Sequence, residues 1–465
     1  MGAARQPPVA RRVAELAVRL DYDDIPAAVV EAAKLHLLDT LGVGLAAAAT
    51  AVRPRIEDAV RTLGQSDDST GLGLAERLPA ASAALLNGAL MHALEFDDTH
   101  IASVAHGSAV VMPAALALAE REGASGRDLL RAIALGWELL IRLGLAAPNG
   151  VQAHGFQLTA VGGPFAAALA AAALLRLDAD VTTSALGIAG SQAAGVFEFL
   201  ENGSTAKHIH GGWPAHAGIV AAELARAGMT GPETIFEGRR GFYRAYAGAS
   251  DPGAGLAELT GTLGSAWHLP EAAIKPYPCC HYIQPFLEGL EQVLAQGVAT
   301  GDIAEIHCRV PTEQAALVCE PWEAKIAPAT AYQAKWSLPY CLAALLADGR
   351  LDIATFDRSA PEERLVPLAR KIRFEAYAGS GFPERYSGAV EVATHDGRRC
   401  SAEIRDVRGS PAKPLGEGEV RAKFLANARR TLTPEAAETV MIETMRLDSA
   451  ASLRPLGDAL RTLRR

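Results

Sequence analysis

Four stretches of this sequence concentrate side chains that move protons or hold anions. The first runs from Asn87 to His100, with His106 beyond it. It sets His92, Glu95, Asp97, Asp98, Thr99 and His100 at the end of an Ala-rich apolar segment. An unpaired buried charge is costly, so such a set needs partners or a ligand. If a helix reaches about residue 94, His92 and Glu95 share a face and Thr99 follows one turn beyond. Two readings are open. Glu95, Thr99 and His106 face a pocket, or Asp98 and Thr99 cap a charged helix end and the histidines lie on the surface. Asp and His also ligate metals, but no HExxH, facial-triad or Cys-pair spacing accompanies them, and no metal is expected.

The second stretch is Lys207 to His216. Gly203, Gly211 and Gly212 predict a loop carrying Lys207, His208 and His210, with a helix after Pro214. An ammonium ahead of a helix start suits an anion, because backbone N–H groups and the helix dipole add to its charge. A solvated turn is the plainer alternative. No Walker motif and no G-x-G-x-x-G fingerprint is present. The third stretch, Lys275 to His281, is held extended by Pro276 and Pro278. Adjacent Cys279 and Cys280 cannot form an ordinary unstrained disulfide with each other. Cys280 beside His281 is a nucleophile or, more simply, a small apolar wall. The fourth stretch is His154-Gly-Phe-Gln157. His36 and His268 read as structural, and His307 and His395 as strand or turn residues.

Helices must position these groups. Asp24 serves as N-cap and Pro26 as first-turn residue of a helix reaching about Ala49. Further helices are predicted near 80–94, 109–121, 126–144, 162–176, 180–194 and 213–228, rich in Ala and Leu, so residues 1 to about 265 form a helical bundle. After Pro270 the pattern changes. Residues 303–310 and 371–376 alternate like strands, 388–405 reads as a hairpin turning at His395-Asp-Gly397, and helices at 281–296 and 332–347 accompany them. Helices return at 418–429, 433–446 and 449–464.

A chain of 465 residues exceeds one ordinary core, so two domains are expected. With 49% hydrophobic and 21% charged residues it is a folded globular protein. A net charge of -9 without a basic block argues against a nucleic-acid partner, and an anionic substrate would need a local cationic pocket. The apolar run Phe165 to Leu175 stops at Arg176, too short to cross a bilayer. Glu15, Arg19 and Asp21 interrupt the N-terminus, so no secretory signal is expected. Six cysteines make no disulfide framework. The cytoplasm is the expected compartment.

Taken together these runs resemble the MmgE/PrpD family. The matching pieces are Leu38 to Gly42, Asn87 to His100, the His106 segment, Gly155 to Thr159, Asn202 to Lys207, Gly241 to Tyr243, Lys275 to Cys280 and Lys335 to Tyr340. They run in family order from about residue 10 to 430. The resemblance implies a mainly α fold: a helical domain built from both chain ends (1–268 and 412–465), an inserted α+β lid (269–411), and a homodimer. Family members include 2-methylcitrate dehydratase, cis-aconitate decarboxylase and iminodisuccinate epimerase. They act on small di- or tricarboxylates without a redox cofactor, and the best-known types need no metal.

Carried over by motif, the site holds Glu95, Thr99, His106, Gln157, Lys207 and Cys280. Several positions depart from the decarboxylase-like pattern. Glu95 replaces Asp, Gln157 and Cys280 each replace His, Gly107-Ser108 replaces the Pro after His106, and His281 replaces Arg. The expected function is therefore a cofactor-independent lyase, 2-methylcitrate dehydratase-like, that abstracts a proton next to a carboxylate. An epimerase or isomerase of a substituted dicarboxylate, a cis-aconitate decarboxylase-like enzyme and a non-catalytic polycarboxylate binder are the alternatives. His106 is the expected acid–base group. Lys207 is expected to hold the substrate carboxylate, Thr99 to bond a substrate oxygen, and Glu95 to orient an imidazole or pair with Lys207. Gln157, His208, Lys275, Cys280 and His281 are expected to contact substrate. Lys207→Ala and His106→Ala are each expected to abolish turnover with the fold intact.

Overall fold

Helix Ala27–Ala48 is buried on almost every side, as its near-uniform apolarity requires. Around it, in a computed structural model that describes residues 6–249, 253–357 and 361–464, the chain is mainly helical with small sheets. Helix Ile209–Arg226 packs on helices Ala80–His92 and Leu158–Leu174, and Leu158–Leu174 packs on Gly126–Leu145. Local chemistry sets several boundaries. The Ser125 hydroxyl accepts from the N–H of Asp128, whose carboxylate accepts from the N–H of Ser125, which starts helix Gly126–Leu145. Asp178 caps Ala179–Ala189 by accepting from the Val181 N–H at 2.9 Å.

Two expectations are corrected. Asp24 does not cap the long helix. It lies in a 3-10 turn, Tyr22–Asp24, where its carboxylate accepts from the Asp21 N–H, and Pro26 occupies the cap position. Gly211 and Gly212 do not break the chain into a loop. Helix Ile209–Arg226 starts ahead of them and contains Pro214. The glycines are needed for close approach: a Cβ on Gly212 would meet the Leu85 carbonyl oxygen at 2.1 Å, and one on Gly88 would meet the Gly212 Cα at 2.8 Å. Tight packing between two helices, rather than turn formation, explains the pair. Helices Val9–Arg19 and Val52–Arg61 fall outside the sequence-predicted set. In the first, Glu15 and Arg19 lie away from the buried Val9, Ala10, Val13, Ala14, Leu16 and Ala17, so its charges mark an outer face.

The buried apolar side chains form two large clusters and one small one. The larger cluster joins residues from Val9 to Ile274 with Ile353 and with Val420 to Leu460. The second runs from Tyr277 to Cys400. Its four-stranded sheet has the order Ile372–Tyr377, Ile303–Pro311, Gly388–Thr394, Arg399–Ile404. The first pair is parallel and the others antiparallel, with Cys308 opposite both Phe374 and Val390. The hairpin turns through Gly397 at φ +88°, as expected. Helix Gln284–Ala295 packs against its last two strands.

Two contacts bring distant parts of the chain to the 95–106 loop. Thr99–His100 pairs antiparallel with Ala272–Ala273, which sets the 275–281 segment beside the 95–106 loop. Helix Glu417–Ala428 returns to pack on Ala27–Ala48, and its Lys423 Nζ reaches Asp39 Oδ1 at 2.8 Å and the Phe96 carbonyl at 3.1 Å. Among the described residues no single helix is long and apolar enough to cross a membrane.

Candidate active site

Helix Ala80–His92 ends at His92, so the acidic residues lie beyond it, not on its face. The chain leaves the helix through Glu95 at φ +55°, a left-handed conformation uncommon for a residue with a Cβ. Such positions concentrate at functional sites. The turn sends the Glu95 carboxylate onto Lys207, whose Nζ donates to its two oxygens at 2.6 and 2.5 Å. Both side chains are at least 98% buried. Tyr332 also donates to Glu95, at 3.0 Å, and the Trp336 ring lies 4.9 Å from the Lys207 ammonium. Burial alone would push the Glu95 carboxyl up. The Lys207 and Lys275 charges outweigh it and hold the group down at about 2. Of the two roles expected for Glu95, the structure has the pairing with Lys207.

Asp97 organises the next part. Its Oδ2 accepts from His92 Nδ1 at 2.7 Å and lies 3.2 Å from His106 Nδ1. His106 Nδ1 also meets the Asp98 carbonyl at 2.8 Å and Thr99 Oγ1 at 3.3 Å. With a carbonyl and a carboxylate facing Nδ1, the proton of a neutral ring sits there and Nε2 carries the lone pair. A directed chain continues behind it. His210 Nδ1 donates to Gln157 Oε1 at 2.6 Å, and Gln157 Nε2 donates to His92 Nε2 at 3.4 Å. Burial pushes the Asp97 carboxyl up, but His92 and His106 outweigh it and hold it well below the usual carboxylate range. Burial lowers His92, and drives His210 down to about 3. Asp98, beside it in sequence, points the other way and accepts from His36 and the Ser108 hydroxyl. His92, Asp97 and His106 also have the composition of a metal site, their ligand atoms lying within 4.8 Å of one another.

The 275–281 segment forms the opposite wall. Lys275 Nζ donates to the Glu95 carbonyl at 3.2 Å. His281 is buried with both ring nitrogens unpaired, its ring edge-on to Tyr386 at 5.0 Å. Burial keeps it well below the ordinary imidazole value, hence neutral. Burial also pushes the Cys280 thiol up to about 12, the wrong direction for a nucleophile. Its place is in the wall.

One cavity is lined by Glu95, Thr99, His106, Gln157 and Lys207 from one side and by Lys275, Cys280 and His281 from the other. Of the nine residues expected from the sequence to act on or contact substrate, only His208 lies outside this lining. It precedes helix Ile209–Arg226, and its ring packs on Tyr332 at 5.4 Å. Burial lowers it to about 4. Sequence reasoning missed the shared acceptor role of Asp97, the His92–Gln157–His210 chain, and Tyr332 and Trp336. For the last two, the adjacent Lys335-Trp-Ser-Leu-Pro-Tyr340 run was the available signal. All six cysteines are free and buried.

The chain matches the MmgE/PrpD N-terminal domain over residues 11–254 and the MmgE/PrpD C-terminal domain over residues 277–448. It belongs to the MmgE/PrpD family. Among its relatives is the cis-aconitate decarboxylase-like protein oryM of Aspergillus oryzae, 27% identical and covering 94% of each chain. It is also similar to the cis-aconitate decarboxylase of Aspergillus terreus, at 25% identity over 97% of this chain and 96% of the relative. The human cis-aconitate decarboxylase is 29% identical over 89% of this chain and 86% of the relative.

Proposed function

We propose that this protein is a lyase that needs no cofactor and abstracts a proton from the carbon next to a carboxylate of a small di- or tricarboxylic acid. The observation that carries this reading is His106. Among the described residues, all polar contacts of its ring are at Nδ1, which leaves Nε2 to the cavity it shares with Lys207 and Lys275. In the step envisaged, Nε2 takes the α-proton and the C–H electron pair moves onto the carboxylate as an enediolate. Ammonium and N–H donors stabilise that charge in a water-poor hollow. In a dehydratase the pair then returns to form a C=C bond while a β-hydroxyl leaves with a proton as water. Residues 1–268 and 412–465 would serve as the base and 269–411 as the lid, in a homodimer.

A second reading, decarboxylation of cis-aconitate, is favoured by the near full-length likeness to decarboxylases. Against it stand Gln157 and Cys280 where the decarboxylase-like pattern has histidines. Proton NMR in deuterated water tests both. Deuterium entering next to a carboxylate, with loss of water, supports the first reading. Carbon dioxide release from cis-aconitate supports the second. No exchange, dehydration or decarboxylation with any di- or tricarboxylate contradicts both.

A further inference from the structure

Two lysines line the cavity and, among the described residues, no arginine does. They are not equivalent. Lys207 spends two of its three N–H donors on the Glu95 carboxylate, and its buried charge is neutralised there. Lys275 is 1% exposed, donates to the Glu95 backbone carbonyl, and among the described residues has no carboxylate within ion-pair distance beyond that fixed pair. It keeps two N–H donors. A buried ammonium without its own counter-ion is unfavourable unless an anion completes it. Six residues on, in the same extended run, His281 presents an imidazole with neither nitrogen bonded. Buried polar atoms left unpaired need a partner, and both residues line the one hollow.

We infer that Lys275 and His281 form the seat for a substrate carboxylate, and that the cavity accepts a dicarboxylate in preference to a tricarboxylate. The inference rests on the reading above and narrows its substrate class. The first carboxylate takes the Lys275 donors and a His281 N–H. A second can be met by the Thr99 hydroxyl. A third has no cation left, because releasing Lys207 would strand Glu95 as a buried unpaired charge. Phe197, Leu200 and Leu317 supply apolar wall in place of further donors. Lys207 then acts through the pair with Glu95, and its part in holding substrate, expected from the sequence, passes to Lys275.

Calorimetric titration with two unreactive probes, succinate and propane-1,2,3-tricarboxylate, tests the seat without requiring turnover. Succinate is expected to bind at least about tenfold more tightly than the tricarboxylate. Lys275→Gln and His281→Phe are each expected to weaken succinate about tenfold or more. Thermal melts identify a variant that has merely unfolded, and the probe ranking on the unaltered protein stands without either variant. Tighter binding of the tricarboxylate, absence of succinate binding, or undiminished succinate affinity in both folded variants would overturn the inference. A preserved succinate preference with no α-proton exchange from any acid would leave the seat standing and remove the lyase reading instead.

Discussion

The two walls of the cavity are built on opposite principles. On the 92–106 wall every imidazole that matters is tied down: His210, Gln157 and His92 form a continuous run of donors ending on Asp97, which His106 reaches separately. On the 275–281 wall the polar groups are left open, with Lys275 short of a counter-ion and His281 short of any partner. A general base must be held in one tautomer and one orientation before substrate arrives. A binding seat must keep its donors uncommitted. The contrast teaches which wall moves the proton and which holds the anion, a division invisible in a bare inventory of lysines and histidines.

The contrast breaks most sharply at His106. His106→Gln is expected to lower α-proton exchange about 1000-fold, within the range for loss of a general base, with an unchanged melting temperature. A variant with near-normal exchange would take the proton-moving role away from this wall. Lys207→Ala is expected to reduce stability by about 3–5 kcal/mol, because Glu95 is left buried and unpaired. Sequence reasoning expected that variant to keep its fold, but both partners are almost fully enclosed. Urea unfolding of Lys207→Ala beside the double variant Lys207→Ala with Glu95→Gln checks this, and the double variant should recover most of the loss. Asp97→Asn keeps the shape of the acceptor but loses its charge. It is expected to slow exchange about 100-fold with little change in KM, the reverse of what Lys275→Gln should do.

The pH dependence of stability sharpens the same division. The folded Glu95 carboxyl lies at about 2, below its ordinary value of 4.5. The unfolded chain therefore takes up the proton first, and folding gains stability as pH rises. That contribution is fully present above about 4.5 and is lost as pH falls towards about 2. Asp97 acts in the same direction. Urea titrations from pH 2.5 to 7 should show the gap between the unaltered protein and Glu95→Gln closing as pH falls. A gap independent of pH would mean that the ion pair is not the source. Smallest of all is the effect expected from a chelator. Dialysis against EDTA should leave exchange unchanged. Loss on chelation with recovery on adding zinc would turn His92, Asp97 and His106 from a proton relay into a ligand set.

Much of this arrangement was legible in the sequence. Ala- and Leu-rich runs punctuated by Gly or Pro gave the helices around 80–94 and 126–144, and strand alternation about His395-Asp-Gly397 gave the 388–405 hairpin. Glu95, Thr99, His106, Lys207 and Cys280 stood out as polar chemistry in apolar or glycine-rich settings, and the structure brings them to one hollow. What was not legible depends on direction in space. Asp97 and Asp98 are neighbours of the same type, yet one serves His106 and the other His36. Gly211 and Gly212 carry the signature of a loop but answer to the Gly88 and Leu85 carbonyls across a helix interface. His208 differs from Lys207 by one position and therefore faces Tyr332, not the cavity. The uneven commitment of Lys207 and Lys275 depends on a carboxylate more than a hundred residues away in sequence.

The most direct measurement is proton NMR of small di- and tricarboxylic acids in deuterated water, run with the unaltered protein and with His106→Gln. The expected result is deuterium appearing on the carbon beside a carboxylate of at least one acid, and vanishing in the variant while its melting temperature holds. Absence of label in every acid, or label that persists undiminished in the variant, would contradict the assignment of this cavity to proton transfer by His106.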